Sequence, residues 1–295
     1  DAIDLFIGSD GTLGVLSSIE LSLIEQPPVI WSADCFFSEE EQALRFVELA
    51  RETLEDLAAL EYFDCFALDI LREQKRSNTA FSQLPELLER HRYAIYIELH
   101  CDDEQRATQQ LFLAGEQMRQ AGGDEQDTWV ARTAFDKDTL LFFRHAVPES
   151  VNMLIDQRKK TNPIITKLGT DMAVPDGCLR EVMAMYRRDL AAQGLEYAIW
   201  GHIGNNHLHV NILPRDAADY QKGKALYGEW AAAVTQLGGA VSAEHGVGKS
   251  KVAYLEIMYG LSHIREMAAL KRAFDPQGLL GTGNMFTLEK EAAHL

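Results

Sequence analysis

The chain is predicted to be an α+β protein, a ferredoxin-like antiparallel sheet with flanking helices. Three observations predict this. Apolar and polar residues alternate with strand period in short runs, most cleanly from Arg92 to Cys101, RYAIYIELHC. Longer segments carry apolar residues at helical spacing, as at Leu179, Val182, Met183, Tyr186 and Leu190. Strand and helix then follow one another with half-apolar faces, the pattern of a sheet with helices laid on it.

The composition agrees. A length of 295 residues allows one large domain or two ordinary ones, and 46% hydrophobic with 25% charged residues is the balance of a globular protein. The formal charge of −17 argues against a general nucleic-acid binder, which needs a basic surface. An anionic substrate stays compatible, because a local basic pocket can sit in an acidic body. Cys35, Cys65, Cys101 and Cys178 are widely spaced, so neither a disulfide framework nor a cysteine metal site is expected. A reducing, cytoplasmic location fits, with attachment to the periphery of a membrane left open. No apolar run approaches the length of a membrane span. The chain opens on Asp1 in mid-pattern, and a longer protein is expected.

Taken in order, Ile3 to Ile7 and Leu13 to Leu23 read as strands flanking Gly8-Ser-Asp-Gly-Thr-Leu-Gly14. Glycines this close let a backbone turn tightly, and their N–H groups suit a phosphate; a plain hairpin turn uses the same residues. Gln26-Pro27-Pro28 marks a boundary. Val29 to Phe37 is a strand, and Ser38 with Glu39 to Glu41 starts a helix traced by Leu44, Val47, Arg51 and Leu54. Tyr62 to Leu71 reads as a strand, Ser77 to Glu89 as a loop with a short helical piece, and Asp103 to Ala121 as a helix ended by Gly122-Gly123. Trp129 to Arg132 is a short strand and Phe135 to Lys160 mostly helix. Within that helix Arg144 follows the apolar run Leu140 to Phe143, so it needs an anionic partner: a substrate carboxylate, or an internal Asp or Glu. Lys167, in the strand Ile164 to Val174, is a further candidate. Helices at Pro175 to Ala192 and Asp216 to Leu237 flank a hairpin.

That hairpin carries the chemistry. Trp200 to Asn211 reads WGHIGNNHLHVN, with His202, His207 and His209 inside eight residues. His207, His209 and Asn211 share one face of a strand and Leu208, Val210 and Ile212 the other, so the polar face is expected to lie away from the core. Farther on, Ser242 to Lys249 reads SAEHGVGK and sets Glu244 beside His245 in a glycine-rich turn. Imidazoles with a carboxylate are the donor set of a catalytic zinc or related divalent metal. Ala243 to Ser250 also loosely matches a phosphate-binding P-loop, but Ala240-Val241 is too short for the strand that motif requires and Glu244 would repel phosphates.

Four motifs in this order (Gly8 to Gly14, GHIGNNHLHVN, SAEHGVGK, and FDPQGLLGTGNMF from Phe274 to Phe286) resemble the C-terminal part of FAD-linked oxidases of the D-2-hydroxyacid dehydrogenase type. That family includes D-lactate dehydrogenases and the glycolate oxidase D subunit. The resemblance implies FAD held largely by an N-terminal domain, with residues 1–25 as the last strands of that domain. It makes 26–274 a substrate- and metal-binding cap and 275–295 a segment returning toward the flavin.

By the same resemblance His202, His209 and Glu244 hold a divalent metal, zinc in some members. His245 is the catalytic base, and Arg144, Asn211 and Lys167 bind substrate. Gly8, Ser9, Gly11, Thr12, Gly14 and Asn284 are the flavin contacts. The family's Gly-Asp-Gly-Asn-Leu-His is Gly204-Asn-Asn-His-Leu-His209 here, so His207 is an additional candidate ligand. Its Asn-Pro-Gly-Lys near the end is Gly281-Thr-Gly-Asn284. The implied reaction oxidises a small 2-hydroxy acid and passes electrons to a quinone or an electron-transfer protein; a homodimer is compatible. The chain by itself is expected to be inactive and nearly colourless. A metal-dependent hydrolase with the same His/His/Glu set and a non-catalytic cap module are the alternative readings.

Overall fold

A computed structural model describes residues 2–287 of the chain; Asp1 and the end of the expected terminal segment, 288–295, lie outside the described residues. In chain order the strands are β1 (Val29–Phe37), β2 (Leu57–Phe63), β3 (Tyr93–Cys101), β4 (Thr128–Ala131), β5 (Leu168–Gly169), β6 (Met172–Ala173), β7 (Tyr197–His202) and β8 (His207–Ile212). The helices are α1 (Glu40–Thr53), α2 (Cys65–Ser77), α3 (Glu104–Gln120), α4 (Ala134–Lys159), α5 (Leu179–Gln193), α6 (Ala217–Gln236) and α7 (Val252–Phe274). The chain divides into two compact units. One comprises Asp1–Ile24, Asp171–Cys178 and Leu226–Leu295, the other Glu25–Thr170 and Leu179–Ala225.

The larger unit is the expected α+β sheet. Seven strands run antiparallel in the order β4-β1-β3-β2-β7-β8-β5. Alternation puts Trp31, Ala33, Cys35 and Phe37 of β1 on the face toward α1 and α3. Ser32, Asp34 and Phe36 lie on the face covered by α2 and α4. On that second face Phe36, Phe63, Phe81 and Phe143 form a buried aromatic core with Leu68, Leu71 and Val147. Asp34 is fully buried among these rings, and neither of its carboxylate oxygens has a hydrogen-bond partner among the described residues. Burial alone pushes its carboxyl well above the usual carboxylate range.

Two expectations fail in this unit. The strand read over Tyr62 to Leu71 stops at Phe63, because the Asp64 side chain accepts from Ala67 N at 2.8 Å and caps a helix at once. The apolar residues that follow, Cys65, Leu68 and Leu71, keep helical spacing. Of Ile164 to Val174 only the two-residue strand β5 forms in this unit, and only the two-residue β6 in the part that belongs to the smaller one.

In the smaller unit α7 was not anticipated. It is interrupted at Gly260, whose φ of 73° and ψ of 162° are non-helical. Val247, Leu255, Ile264, Ala268 and Phe286 make its small core. The strands read at Ile3 to Ile7 and Leu13 to Leu23 are corrected: Ile3–Leu5 is a 3-10 turn, and residues 13–27 carry no strand. An extended segment becomes a strand only when a neighbouring strand takes its N–H and C=O groups, and for residues 13–27 none among the described residues does so.

Candidate functional site

The histidine hairpin is set by ladder geometry. His202 stands directly opposite His207, and Trp200 opposite His209, so the three imidazoles share one sheet face. Ring centroids are 5.6 Å apart for His202 and His207, 5.7 Å for His202 and His209, and 4.6 Å for His207 and His209. One ring nitrogen from each lies within 4.8 Å of the others. Every residue of β8 is buried, so the polar face is a buried one, contrary to the expectation that it lies away from the core. The turn between the strands is held by Arg51, whose Nη2 donates to Asn206 Oδ1 at 2.6 Å and also to Ile203 O. Gly201 is obligatory: its φ is +139°, and a Cβ there would come within 3.0 Å of His207 O and His209 Cδ2.

Second partners orient two of the rings. His209 Nδ1 is 3.0 Å from Thr170 O. A carbonyl only accepts, so Nδ1 carries the proton and Nε2 the lone pair. His202 Nδ1 is 2.9 Å from Glu61 Oε1, which imposes the same tautomer. An imidazole that donates one nitrogen to a carbonyl or carboxylate and offers the other is the usual form of a metal-binding histidine. The donor chemistry of this face therefore fits a borderline-soft divalent cation such as zinc. Asn211 turns its amide to His209 O at 3.0 Å, and Gly169 leaves it room, since a Cβ there would lie 2.8 Å from Asn211 Oδ1.

The cations of this unit behave differently from one another. Arg144 hydrogen-bonds Glu61, so of the two partners left open by the sequence the internal acid is the one present. Arg144 also lies over the Tyr96 ring at 5.6 Å and, with Arg51, Glu61 and His202, lines a cavity of about 360 Å³. Lys167 donates to Asn152 Oδ1 at 3.1 Å and sits 5.9 Å from the Trp200 ring centre. It has no ion pair among the described residues, and burial lowers it from the ordinary lysine value.

In the smaller unit, three of the sequence motifs converge. Asp10 Oδ2 accepts from Val247 N at 2.9 Å and Gly248 N at 2.7 Å, tying the first glycine loop to the Ser242 to Lys249 turn. Asn284 Nδ2 donates to Asp10 O at 2.8 Å, and Met285 N to Gly248 O at 2.9 Å. Gly8, Ser9, Gly11 and Gly14 line a cavity of about 470 Å³ with Glu244, His245 and Gly246. Of the residues expected at a flavin, Thr12 is buried and turns its hydroxyl to Ser9 O at 2.7 Å, and Asn284 braces the loop.

Glu244 and His245 are exposed at their side chains, with His245 Nε2 3.2 Å from Glu244 Oε1. Their backbones are fixed by Asp171, which accepts from Glu244 N at 3.2 Å, His245 N at 3.0 Å, Ser242 Oγ at 2.8 Å and Lys251 Nζ at 2.7 Å. Asp171, Glu244 and His245 each offer a donor atom within 4.8 Å of the others.

Glu61, Asp10, Asp171 and Lys251 were not singled out in the sequence. For the three acids the available signal was a single acid in each apolar or glycine-rich run; for Lys251 there was none. Among the described residues, no helix is long and apolar enough to cross a membrane.

The family model described as FAD linked oxidases, C-terminal domain, matches residues 26–285. A probable mitochondrial D-lactate dehydrogenase of Danio rerio is 25% identical, the match covering 97% of this chain and 54% of the relative. A D-2-hydroxyglutarate dehydrogenase of Stutzerimonas stutzeri (strain A1501) is 27% identical over 97% of this chain and 59% of its own length. Glycolate oxidase subunit GlcD of Bacillus subtilis (strain 168) is 24% identical over 97% and 57%. The chain thus spans little more than half the length of these relatives. Among solved structures, p-cresol methylhydroxylase with substrate bound has a TM-score of 0.62 at 15% identity, covering 90% of this chain and 55% of that one, a likeness of fold. Since the family model runs through most of its length, the chain belongs to the FAD linked oxidases and carries their C-terminal domain.

Proposed function

We propose that the chain is the substrate- and metal-binding part of a flavin-dependent dehydrogenase. It would oxidise a D-2-hydroxy acid of the D-lactate, glycolate or D-2-hydroxyglutarate class to the 2-oxo acid, with hydride passing to FAD. The observation that supports this reading is one sheet face with three imidazoles, His207 and His209 buried and His202 half-buried, with His202 and His209 each held so as to offer the Nε2 lone pair, in a chain of the FAD linked oxidase family. The names of the matched relatives support the substrate class.

In this reading His202 and His209, with Glu244 as the carboxylate, hold a divalent metal, zinc by donor type, and His207 is an additional candidate donor. When bound, such an ion acidifies the substrate hydroxyl and fixes its orientation. Neutral His245 takes the hydroxyl proton. Asn211, Lys167 and Arg144 hold the acid: Lys167 is a desolvated cation without a carboxylate partner among the described residues, and Arg144 uses Nη2 for Glu61, with further N–H donors left for the cavity. Gly8, Ser9, Gly11, Thr12, Gly14 and Asn284 form the part of the flavin site that this chain supplies, with residues 1–25 belonging to the FAD-binding portion. A quinone or electron-transfer protein reoxidises the flavin, in the cytoplasm.

Elemental analysis of the chain should find about one zinc per molecule, lost in His209→Ala and in Glu244→Ala. Unchanged metal in both variants would remove the site. In the full-length protein, single-turnover flavin reduction with D-lactate, glycolate and D-2-hydroxyglutarate identifies the acid. His245→Ala should slow that step by about 10²–10⁴-fold, the usual worth of a general base.

A further inference from the structure

Glu61 lies in a row of side chains that crosses the sheet on the face covered by α2 and α4. Register sets Trp129 opposite Asp34, Asp34 opposite Tyr96, and Tyr96 opposite Glu61, while His202 stands opposite His207 on the next strand pair. Glu61 joins the two parts of the row. Its Oε1 accepts from His202 Nδ1 at 2.9 Å, and the same oxygen accepts from Arg144 Nη2. Only 6% of the Glu61 side chain is exposed. A carboxylate at that depth needs a cation, and Arg144 supplies it. An ion pair needed only for packing would be complete at that point; here an imidazole from a different strand converges on the same oxygen.

We infer that Glu61 is a positioning residue for the metal centre. It fixes the ring of His202 in the tautomer that carries the proton on Nδ1 and presents the Nε2 lone pair, and Arg144 acts through it by holding the carboxylate in place. The inference rests on the proposed metal role of His202.

It is tested on the 295-residue chain with two readouts. Long-range proton–nitrogen correlation spectra of ¹⁵N-labelled, metal-free protein report the His202 tautomer, and competition with a chromophoric chelator reports zinc affinity. Wild type should show His202 protonated on Nδ1; an Nε2–H tautomer in wild type overturns the inference without any variant. The double variant Glu61→Leu/Arg144→Met leaves no unpaired charge. It should lose the fixed tautomer and bind zinc about 10–100-fold more weakly, the usual effect of removing a carboxylate behind a metal-bound histidine. Glu61→Gln retains an acceptor at Oε1 and should retain the tautomer. An unchanged tautomer or an unchanged zinc affinity in the folded double variant counts against Glu61. A wild type that binds no zinc, with a tautomer that still depends on Glu61, refutes the metal reading and leaves the orientation of His202 by Glu61 standing.

Discussion

In the histidine hairpin, backbone ladder bonds carry the candidate side chains; in the turn from Ser242 to Lys249, carboxylate side chains hold the backbone that carries them. His202, His207 and His209 are placed by strand register, and their side chains need only local adjustment from Glu61 and Thr170. Glu244 and His245 have no ladder. Asp171 on one side and Asp10 on the other bind four amide N–H groups of that turn, at Glu244, His245, Val247 and Gly248. The glycines follow the same division. Gly201 avoids a clash with the opposite strand, while Gly246 combines a φ of +72° with a Cβ position 2.6 Å from Asp10 Oδ1. A site built on a ladder is resistant to single side-chain losses, because many backbone bonds share the load. A turn gathered by two acids is not.

The largest effect should therefore come from Asp171→Ala. The substitution removes the charge partner of Lys251, whose side chain is only 13% exposed and keeps Ser242 Oγ and Gly246 O as acceptors, and frees two amide N–H groups. Removing one member of a buried pair costs about 3–5 kcal/mol. Hydrogen exchange at the Glu244 and His245 amides should accelerate accordingly, with the amides of β7 and β8 unaffected. Equal protection in the variant would mean that the turn is held by its glycine geometry alone, and the contrast with the hairpin would disappear.

The hairpin unit carries a flaw of its own in Asp34, and pH exposes it. Burial raises this carboxyl well above its ordinary value, with no hydrogen bond among the described residues to offset the effect. Below the unfolded pKa, near 4, both states are protonated and nothing is lost. As pH rises past that point the unfolded chain releases the proton and the folded chain does not, so stability falls until the folded pKa is reached. Asp34→Asn removes the titration. Its advantage over wild type should grow as pH rises above about 4, read as a widening difference in urea midpoint between the two proteins. A pH-independent difference would mean that Asp34 finds a partner in solution.

How far the sequence reaches follows the same division. Alternation makes β3 and β8 legible, and with β8 the shared face of His207 and His209, because strand period alone decides which side chains share a face. Periodicity does not say which buried acid a buried base will meet. Asp34 and Glu61 both stand opposite Tyr96, and both are acids in apolar strands, yet Arg144 pairs with Glu61 and leaves Asp34 bare. Tertiary position decides that, since the pairing depends on where α4 crosses the sheet. The turn reads as a candidate site from its residue types, but its anchors do not: Asp10 is 237 positions from Val247, and Asp171 is 73 positions from Glu244. The strands expected over Ile3 to Ile7 and Leu13 to Leu23 had the right composition and no sheet to join.

The smallest effect sits in the turn's own unit and has the opposite sign to that of Asp34. Lys271, almost wholly buried, donates to Thr12 O at 2.9 Å, Asp275 Oδ2 at 2.8 Å and Leu280 O at 2.7 Å, so one ammonium ties α7 to the first glycine loop and to the segment after the helix. The Lys271 hydrogen bond, helped by those from the Leu280 and Leu279 amides, holds the Asp275 carboxyl down at about 2. A depressed carboxylate stabilises the fold at every pH above its unfolded value near 4, and that contribution is lost as pH falls through the window down to about 2. Asp275→Asn should therefore be less stable than wild type at neutral pH, and the gap should close on acidification below pH 4. Asp34→Asn should instead widen its advantage as pH rises. Hydrogen exchange of the α7 amides, followed in both proteins from pH 6 downward, reads the effect in this unit alone. If the gap persists unchanged at pH 2, the carboxylate charge is not what holds Lys271, and the backbone carbonyls of Thr12 and Leu280 are sufficient anchors by themselves.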